Sequence, residues 1–249
     1  MPTDDLGTAV ELPACPRRVV SLVPSLTEAV AETDRGVLAG VTDYCTHPAD
    51  LDVPSVGGSR FPDLAKVAAQ RPDLVIANAE ENRLEDVEEL RRQGIRVWVT
   101  APTTLAQAFG SLARMLAACG LDPAPGWLEE ARRAWASSFD GSAPTRTAVV
   151  PIWRRPWRVL GHGTFGGDVL RQLGIANVYD GSDERYPKVE DFEPADLVVL
   201  PDEPYQFGPD DGPDAFPGRE VAYVSGRHLF WYGPSLREAR DVLERQLQR

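Results

Sequence analysis

Short apolar runs rich in Val, Leu and Ile alternate with segments of helical spacing, and this alternation occurs twice along the chain. No other feature constrains the fold as much. The first set of runs covers residues 18–22, 37–41, 74–77 and 95–99; the second covers 147–152, 158–160, 197–200 and 221–224. Runs this short, apolar on both faces and separated by helical segments, are the strands of parallel sheets with helices packed over them. Pro24 and Ser25 ahead of Leu26, Ala29 and Val30 predict a helix that starts at a strand-to-helix corner. Further helices are predicted over 63–70, over 83–93 with Gly94 as C-cap, over 168–173 and over 235–248.

Between the two sets lies 103–139, almost wholly helical in spacing and broken once by Asp122, Pro123, Ala124 and Pro125. Trp127, Ala131 and Trp135 fall on one face of it. The expected organisation is α/β: an N-terminal lobe over 1–120, a connecting helix over 121–144 and a C-terminal lobe over 145–249. The halves match in architecture only, because no internal sequence repeat links them.

Composition narrows the partners. With 249 residues, 43% of them hydrophobic, the chain can bury a full core without staples. Its 38 acidic residues against 26 basic ones give a net charge of -12, which repels phosphate backbones, so nucleic acid is not an expected partner. No run approaches the ~18 apolar residues of a membrane span, so membrane insertion is not expected either. The first 15 residues lack both a basic region and an apolar core of the kind a secretory signal needs, and Leu12 to Cys15 follows too acidic a stretch to be a lipoprotein box. The expectation is a cytoplasmic protein, or an extracytoplasmic one if a leader was removed. Cys15, Cys45 and Cys119 are odd in number and widely spaced, as reduced thiols are.

In parallel α/β sheets ligands bind outside the carboxyl ends of the strands. Those ends carry Ser25, Tyr44, Cys45, His47, Phe61 and Asn78 in the first half, and Trp153, Trp157, His162, Phe165, Tyr205, Phe207, His228 and Trp231 in the second. All three histidines and half of the Trp residues fall there, which points to a flat, partly apolar small-molecule ligand. Cys45 and His47 have a spacing that fits two ligands of one metal, but two ligands do not make a site, and both read better as wall residues. His228, followed by Phe230, Trp231 and Tyr232, is the better axial-ligand candidate for a chelated metal; a histidine bonded to its own loop is the plain alternative. Trp153 and Trp157 flank Arg154 and Arg155, offering aromatic walls with donors, against a reading in which one Trp packs in the core.

Catalytic readings are weaker. Gly161, Gly163 and Gly166 form a G-x-G-x-x-G loop with Asp180 further on, the outline of a nucleotide-cofactor oxidoreductase fingerprint, yet the same glycines serve any close backbone approach. Asp202 and Glu203 are adjacent acids on an extended segment, point opposite ways and are expected to be solvated. The acidic stretch over 80–89 reads as a solvated helix face. Neither Ser25 nor Ser225 sits in a nucleophile elbow.

The segments TDDLGTAVELPACPRRVVSLVPSLTEAV, VTDYCTHP, VGG, KVAAQRPDLVIA, QGIRVWV, GGDVLRQLGIANVYD, RYPKVE and PADLVVLPDEPY, in that order, resemble the solute-binding proteins that serve importers of cobalamin, haem and iron-siderophores. These are the class III, or helical-backbone, metal receptors; the cobalamin-binding branch is most similar, over nearly the whole chain. The resemblance implies two α/β lobes with mainly parallel sheets joined by a long rigid helix, a ligand cleft between the lobes, no catalysis and no required cofactor, and cobalamin or another metal chelate as ligand. It also implies one acidic docking residue on each lobe. Here the first acid's place is taken by Ala65 beside Lys66, and the helix that would carry the second shrinks to about one turn over 189–194. Importer docking is therefore expected to be absent, and the role expected is that of a cytosolic carrier, buffer or sensor. The alternatives are an importer-associated solute-binding protein or the oxidoreductase.

Overall fold

The structure, a computed structural model, describes residues 1–139 and 143–248. The chain forms two compact units. One comprises Met1–Pro102, Ala106–Glu129 and Tyr232–Pro234; the other comprises Thr103–Leu105, Glu130–Trp231 and Ser235–Arg249.

In the first unit β1 (Val19–Ser21), α1 (Pro24–Asp34), β2 (Leu38–Gly40), α2 (Leu64–Ala69), β3 (Leu74–Asn78), α3 (Leu84–Arg92) and β4 (Val97–Thr100) follow in order. The sheet order is β2-β1-β3-β4, all parallel. Every residue of β1, β3 and β4 is buried, as strands covered on both faces must be. Local chemistry sets the helix ends. Pro24 opens α1, where a missing N–H costs nothing. The Asp63 carboxylate caps α2 by accepting from Lys66 N at 3.0 Å. Glu85 and Asp86 in the first turn of α3, with Arg91 and Arg92 in the last, suit the helix dipole, and Gly94 at φ 79° ends it. The chain's start is tied in by Asp4, whose carboxylate accepts from Thr8 N at 2.8 Å and pairs with Arg91 at 3.0 Å.

The helical stretch is two helices, α4 (Leu105–Ala118) and α5 (Gly126–Trp135), followed by a 3-10 turn at Ala136–Phe139. The helix expected over 121–144 thus begins at Gly126, beyond the proline-containing break, and its residues 140–142 lie outside the described ones. The unit boundary falls within α5, between Glu129 and Glu130. Trp127, Ala131 and Trp135 are all buried, as their shared face predicted.

The second unit contains β5 (Arg146–Val149), β6 (Pro151–Trp153), β7 (Arg158–Val159), α6 (Phe165–Gln172), β8 (Ile175–Asn177), β9 (Leu197–Pro201), β10 (Val221–Val224), α7 (Gly226–Phe230) and α8 (Leu236–Leu247). Its sheet runs β10-β9-β5-β8, all parallel, while β6 and β7 form a separate antiparallel ribbon. The run over 147–152 therefore splits between two sheets. β8 escaped the sequence pattern because it is three residues long and directly follows a helix. Two α/β units with parallel sheets are thus present. No helix among the described residues is long and apolar enough to cross a membrane.

Candidate functional site

All four strands of each main sheet are parallel, so their carboxyl ends lie along one edge of each unit. In both, the first strand is central and later strands add on either side, which places a topological switch point beside β1 and beside β5. The edges differ in what they expose.

In the first unit, β2 leads into a loop that presents Tyr44 and Phe61, 65% and 69% exposed. Gly58 lies beside both: a Cβ there would meet Tyr44 Cε2 at 3.6 Å and the Phe61 carbonyl oxygen at 3.9 Å. The Arg83 guanidinium sits 5.0 Å from the Phe61 ring centroid and is anchored by Asp86 at 2.7 and 2.9 Å. Arg83 and Asp86 show that the acidic stretch is not simply solvated, since Asp86 is buried.

Cys45 lies between the hydroxyls of Thr27 and Thr42, at 3.0 and 3.2 Å. Burial pushes its thiol up despite these bonds, so it is neutral near pH 7 and a poor metal ligand. The His47 ring meets Thr46 Oγ1 at 3.1 Å. Among the described residues no three His, Cys, Asp or Glu side chains come together to hold a metal ion.

Ser25 is buried in the first turn of α1. Asn78 is fully engaged. Its amide donates to Thr100 O at 3.1 Å and to Tyr232 Oη at 2.5 Å, and its oxygen accepts from Glu80 N and Glu81 N at 2.8 and 3.1 Å. Two donors and two acceptors exhaust an amide, which leaves Asn78 a structural part here. Asn82 reinforces it by accepting from Asn78 N at 2.8 Å and donating to Leu22 O at 3.2 Å, bridging β3 to the end of β1.

In the second unit most of the aromatics face one another. Trp157 stacks on Phe207 at 6.0 Å and meets Phe192 and Phe216 edge-on at 5.2 and 5.9 Å. Arg154 caps this cluster 5.2 Å from the Trp157 ring and pairs with Asp211 and Asp214. Tyr205 donates to Asp211 at 2.5 Å, a bond that holds the Asp211 carboxyl below the usual range and the phenol above it. Of the two tryptophans, only Trp153 is exposed; it packs edge-on against Tyr205 at 5.6 Å.

His162 is exposed, with Nδ1 2.8 Å from the Asp180 carbonyl oxygen. Phe165 is buried at the start of α6. The glycine loop follows the antiparallel ribbon rather than a strand of the parallel sheet, which removes the dinucleotide context. Gly166 serves packing, since a Cβ there would meet the Phe230 ring at 2.7 Å, while Gly163 adopts φ 62°.

Both ring nitrogens of His228 are occupied, Nδ1 by Ser225 Oγ at 2.7 Å and Nε2 by Glu238 at 3.2 Å. Axial ligation would have to break one of these bonds. Phe230 packs against Gly166 and Tyr232 is buried in the first unit, so of the aromatics after His228 it is Phe230 and Trp231 that keep partial exposure.

Glu203 is the site residue that sequence reasoning missed. It is largely enclosed, not solvated, and burial followed by the charge of Asp202 pushes its carboxyl up to about 7. No sequence signal marked it, because Gly226, which lets it fold inward, is 23 residues away.

No protein-family model matches the sequence. A vitamin B12-binding protein from Salmonella choleraesuis is 30% identical over 193 residues, spanning 74% of this chain and 70% of that protein. Among solved structures, the periplasmic vitamin B12-binding protein of Vibrio cholerae superposes with a TM-score of 0.71 at 19% identity, covering 94% of this chain and 97% of that one. A periplasmic haem-binding protein from Pseudomonas aeruginosa gives a TM-score of 0.72 at 24% identity, covering 92% and 91%. These are binding proteins and not enzymes, and the oxidoreductase reading is set aside with the topology that contradicts it. On the 30% identity over about three quarters of its length, together with the shared two-unit fold, this chain belongs to the cobalamin-binding branch of the class III solute-binding proteins.

Proposed function

We propose that this protein binds a corrinoid, cobalamin or a close relative, without transforming it, as the extracytoplasmic solute-binding component of an importer. The observation that carries the reading is the similarity to vitamin B12-binding proteins across both units. The geometry agrees with it. Tyr44 and Phe61 offer flat apolar faces beside a glycine that leaves room for a bulky guest, and Trp153 and Trp231 remain partly exposed on the second unit. Trp157 stacks on Phe207, Phe207 meets Tyr205 and Tyr205 meets Trp153, so this line of rings backs the exposed Trp153 indole.

Calorimetry with cyanocobalamin, cobinamide and haem tests the ligand. Saturable binding of a corrinoid at one site per chain is expected, tighter than that of haem. If none of the three binds at about 100 μM, where even a Kd near ~1 mM leaves a trace, the reading fails.

A second reading, a carrier or sensor that does not dock on an importer, is favoured by one feature of the surface. α2 presents exposed Ala65 and Lys66 where docking relatives are expected to carry an acid, and residues 178–196 contain no helix. Complementation separates the two. Exported to the periplasm of a strain lacking its own cobalamin-binding protein, this chain restores importer-dependent growth on limiting cobalamin under the first reading and does not under the second.

A further inference from the structure

The start of α7 and the loop after β9 enclose a polar cluster that includes the Trp231 indole. Asp202 Oδ1 accepts from Gly226 N at 2.7 Å and ties the loop to the helix. The next residue, Glu203, folds inward against the same glycine: a Cβ on Gly226 would lie 2.8 Å from the Glu203 carbonyl oxygen. Its Oε1 is sealed from solvent and has no hydrogen-bond partner among the described residues. The carboxyl accepts a bond from the Trp231 side chain, whose sole donor is the indole N–H.

Two charged groups face the carboxyl, Asp202 from its own loop and Arg227 from α7. Arg227 lies 5.9 Å from the Trp231 ring centroid and 3.6 Å from Glu238 of α8, and Glu238 also holds His228 at 3.2 Å. Burial and Asp202 favour the neutral acid; the Trp231 bond and Arg227 favour the carboxylate, and the first pair prevails. A carboxylate with one oxygen sealed and unpaired is far costlier to keep inside than a neutral acid, so ionisation drives it outward.

We propose that Glu203 is a proton-operated positioning residue for Trp231: neutral, it stays folded in and holds the indole; ionised, it turns out to water and releases it. The structural half of this stands alone. The functional half, a ligand affinity that falls as Trp231 is released, rests on the corrinoid reading above.

The test is 19F NMR of ligand-free protein carrying 5-fluorotryptophan, from about pH 5.5 to about 8.5, with the Trp231 resonance assigned by its loss in Trp231→Phe. The wild-type Trp231 resonance should shift with an inflection near 7, and in Glu203→Gln that inflection should vanish. A resonance that does not move overturns the proposal. So does an inflection that persists in Glu203→Gln. Should Glu203→Gln fail to fold, Asp202→Asn serves instead: removing the neighbouring charge must move the inflection to lower pH, and an unmoved inflection is fatal. Cyanocobalamin Kd should rise about 5- to 10-fold from pH 6 to pH 8 in the wild type and stay level in Glu203→Gln, roughly 1 kcal/mol of lost hold at 1.4 kcal/mol per tenfold. An intact inflection without cobalamin binding sinks the ligand reading and leaves the positioning role; binding without an inflection does the reverse.

Discussion

The two units share a topology and differ in how they dress it. Each has four parallel strands with the first strand central, yet the first unit displays Tyr44 and Phe61 to solvent while the second packs Trp157, Phe192, Phe207 and Phe216 against one another. The difference lies in what stiffens the strand-end loops. In the first unit backbone polar groups are tied by Asn78 and Asn82, so the aromatics are not needed for the fold. In the second, a long loop after β9 is held down by aromatic contacts and by the Arg154 pairs, so its aromatics serve stability first. Aromatic content at a strand end is therefore not by itself a measure of ligand contact.

Trp157→Ala should break the second unit hardest. It removes the ring on which three phenylalanines converge and should cost about 3–5 kcal/mol in urea unfolding. A loss under about 1 kcal/mol would mean the cluster is surface decoration and the contrast between the units is false. Tyr232→Phe tests the polar counterpart in the first unit. Its hydroxyl meets Asn78 at 2.5 Å and Thr100 at 2.9 Å, and removing it leaves buried groups unpaired, at about 1–3 kcal/mol.

The Glu203 carboxyl makes stability depend on pH in the opposite sense to the Arg154 pairs. Its folded pKa, about 7, lies above the ordinary 4.5, so its contribution is whole below about 4.5 and is lost as pH rises through about 7. Asp211 and Asp214 are held low by Tyr205 and Arg154 respectively, so their contribution is present above the ordinary carboxylate range and is lost as pH falls through their folded values. Glu203→Gln should thus raise stability at pH 8 relative to pH 5 by on the order of 1–2 kcal/mol, discounted for partial exposure. An unchanged difference between the two pH values would contradict the burial of this group. The smallest effect on stability belongs to Tyr44→Ala and Phe61→Ala, each within about 0.5 kcal/mol of wild type because the rings are exposed. Each should still weaken cyanocobalamin binding by about fivefold, an aromatic stacking contribution of about 1 kcal/mol. A large stability loss with unchanged affinity would reverse their assignment.

The strand-end residues show how far sequence reaches. Tyr44, Phe61 and Trp153 were placed at carboxyl ends from the pattern alone, and the structure leaves them exposed there. Phe207 was placed by the same rule and is buried, because its stacking partner Trp157 comes from a segment about 50 residues away, and no local pattern reports that they meet. His228 fails for a similar reason: Glu238, which holds its second nitrogen, is on the next helix.

Periodicity by itself determined the two α/β units, their parallel strands, the helix starts at Pro24 and Asp63 and the stop at Gly94, because burial on both faces, proline geometry, capping and left-handed backbone are local matters written in neighbouring residues. Tertiary structure alone decided which aromatics face solvent, that Asn78 is consumed by Tyr232 from 154 residues away, and that Glu203 is folded inward on Gly226. Those outcomes depend on which distant groups share a small volume, and so on hydrogen-bond capacity and desolvation that no single segment can encode.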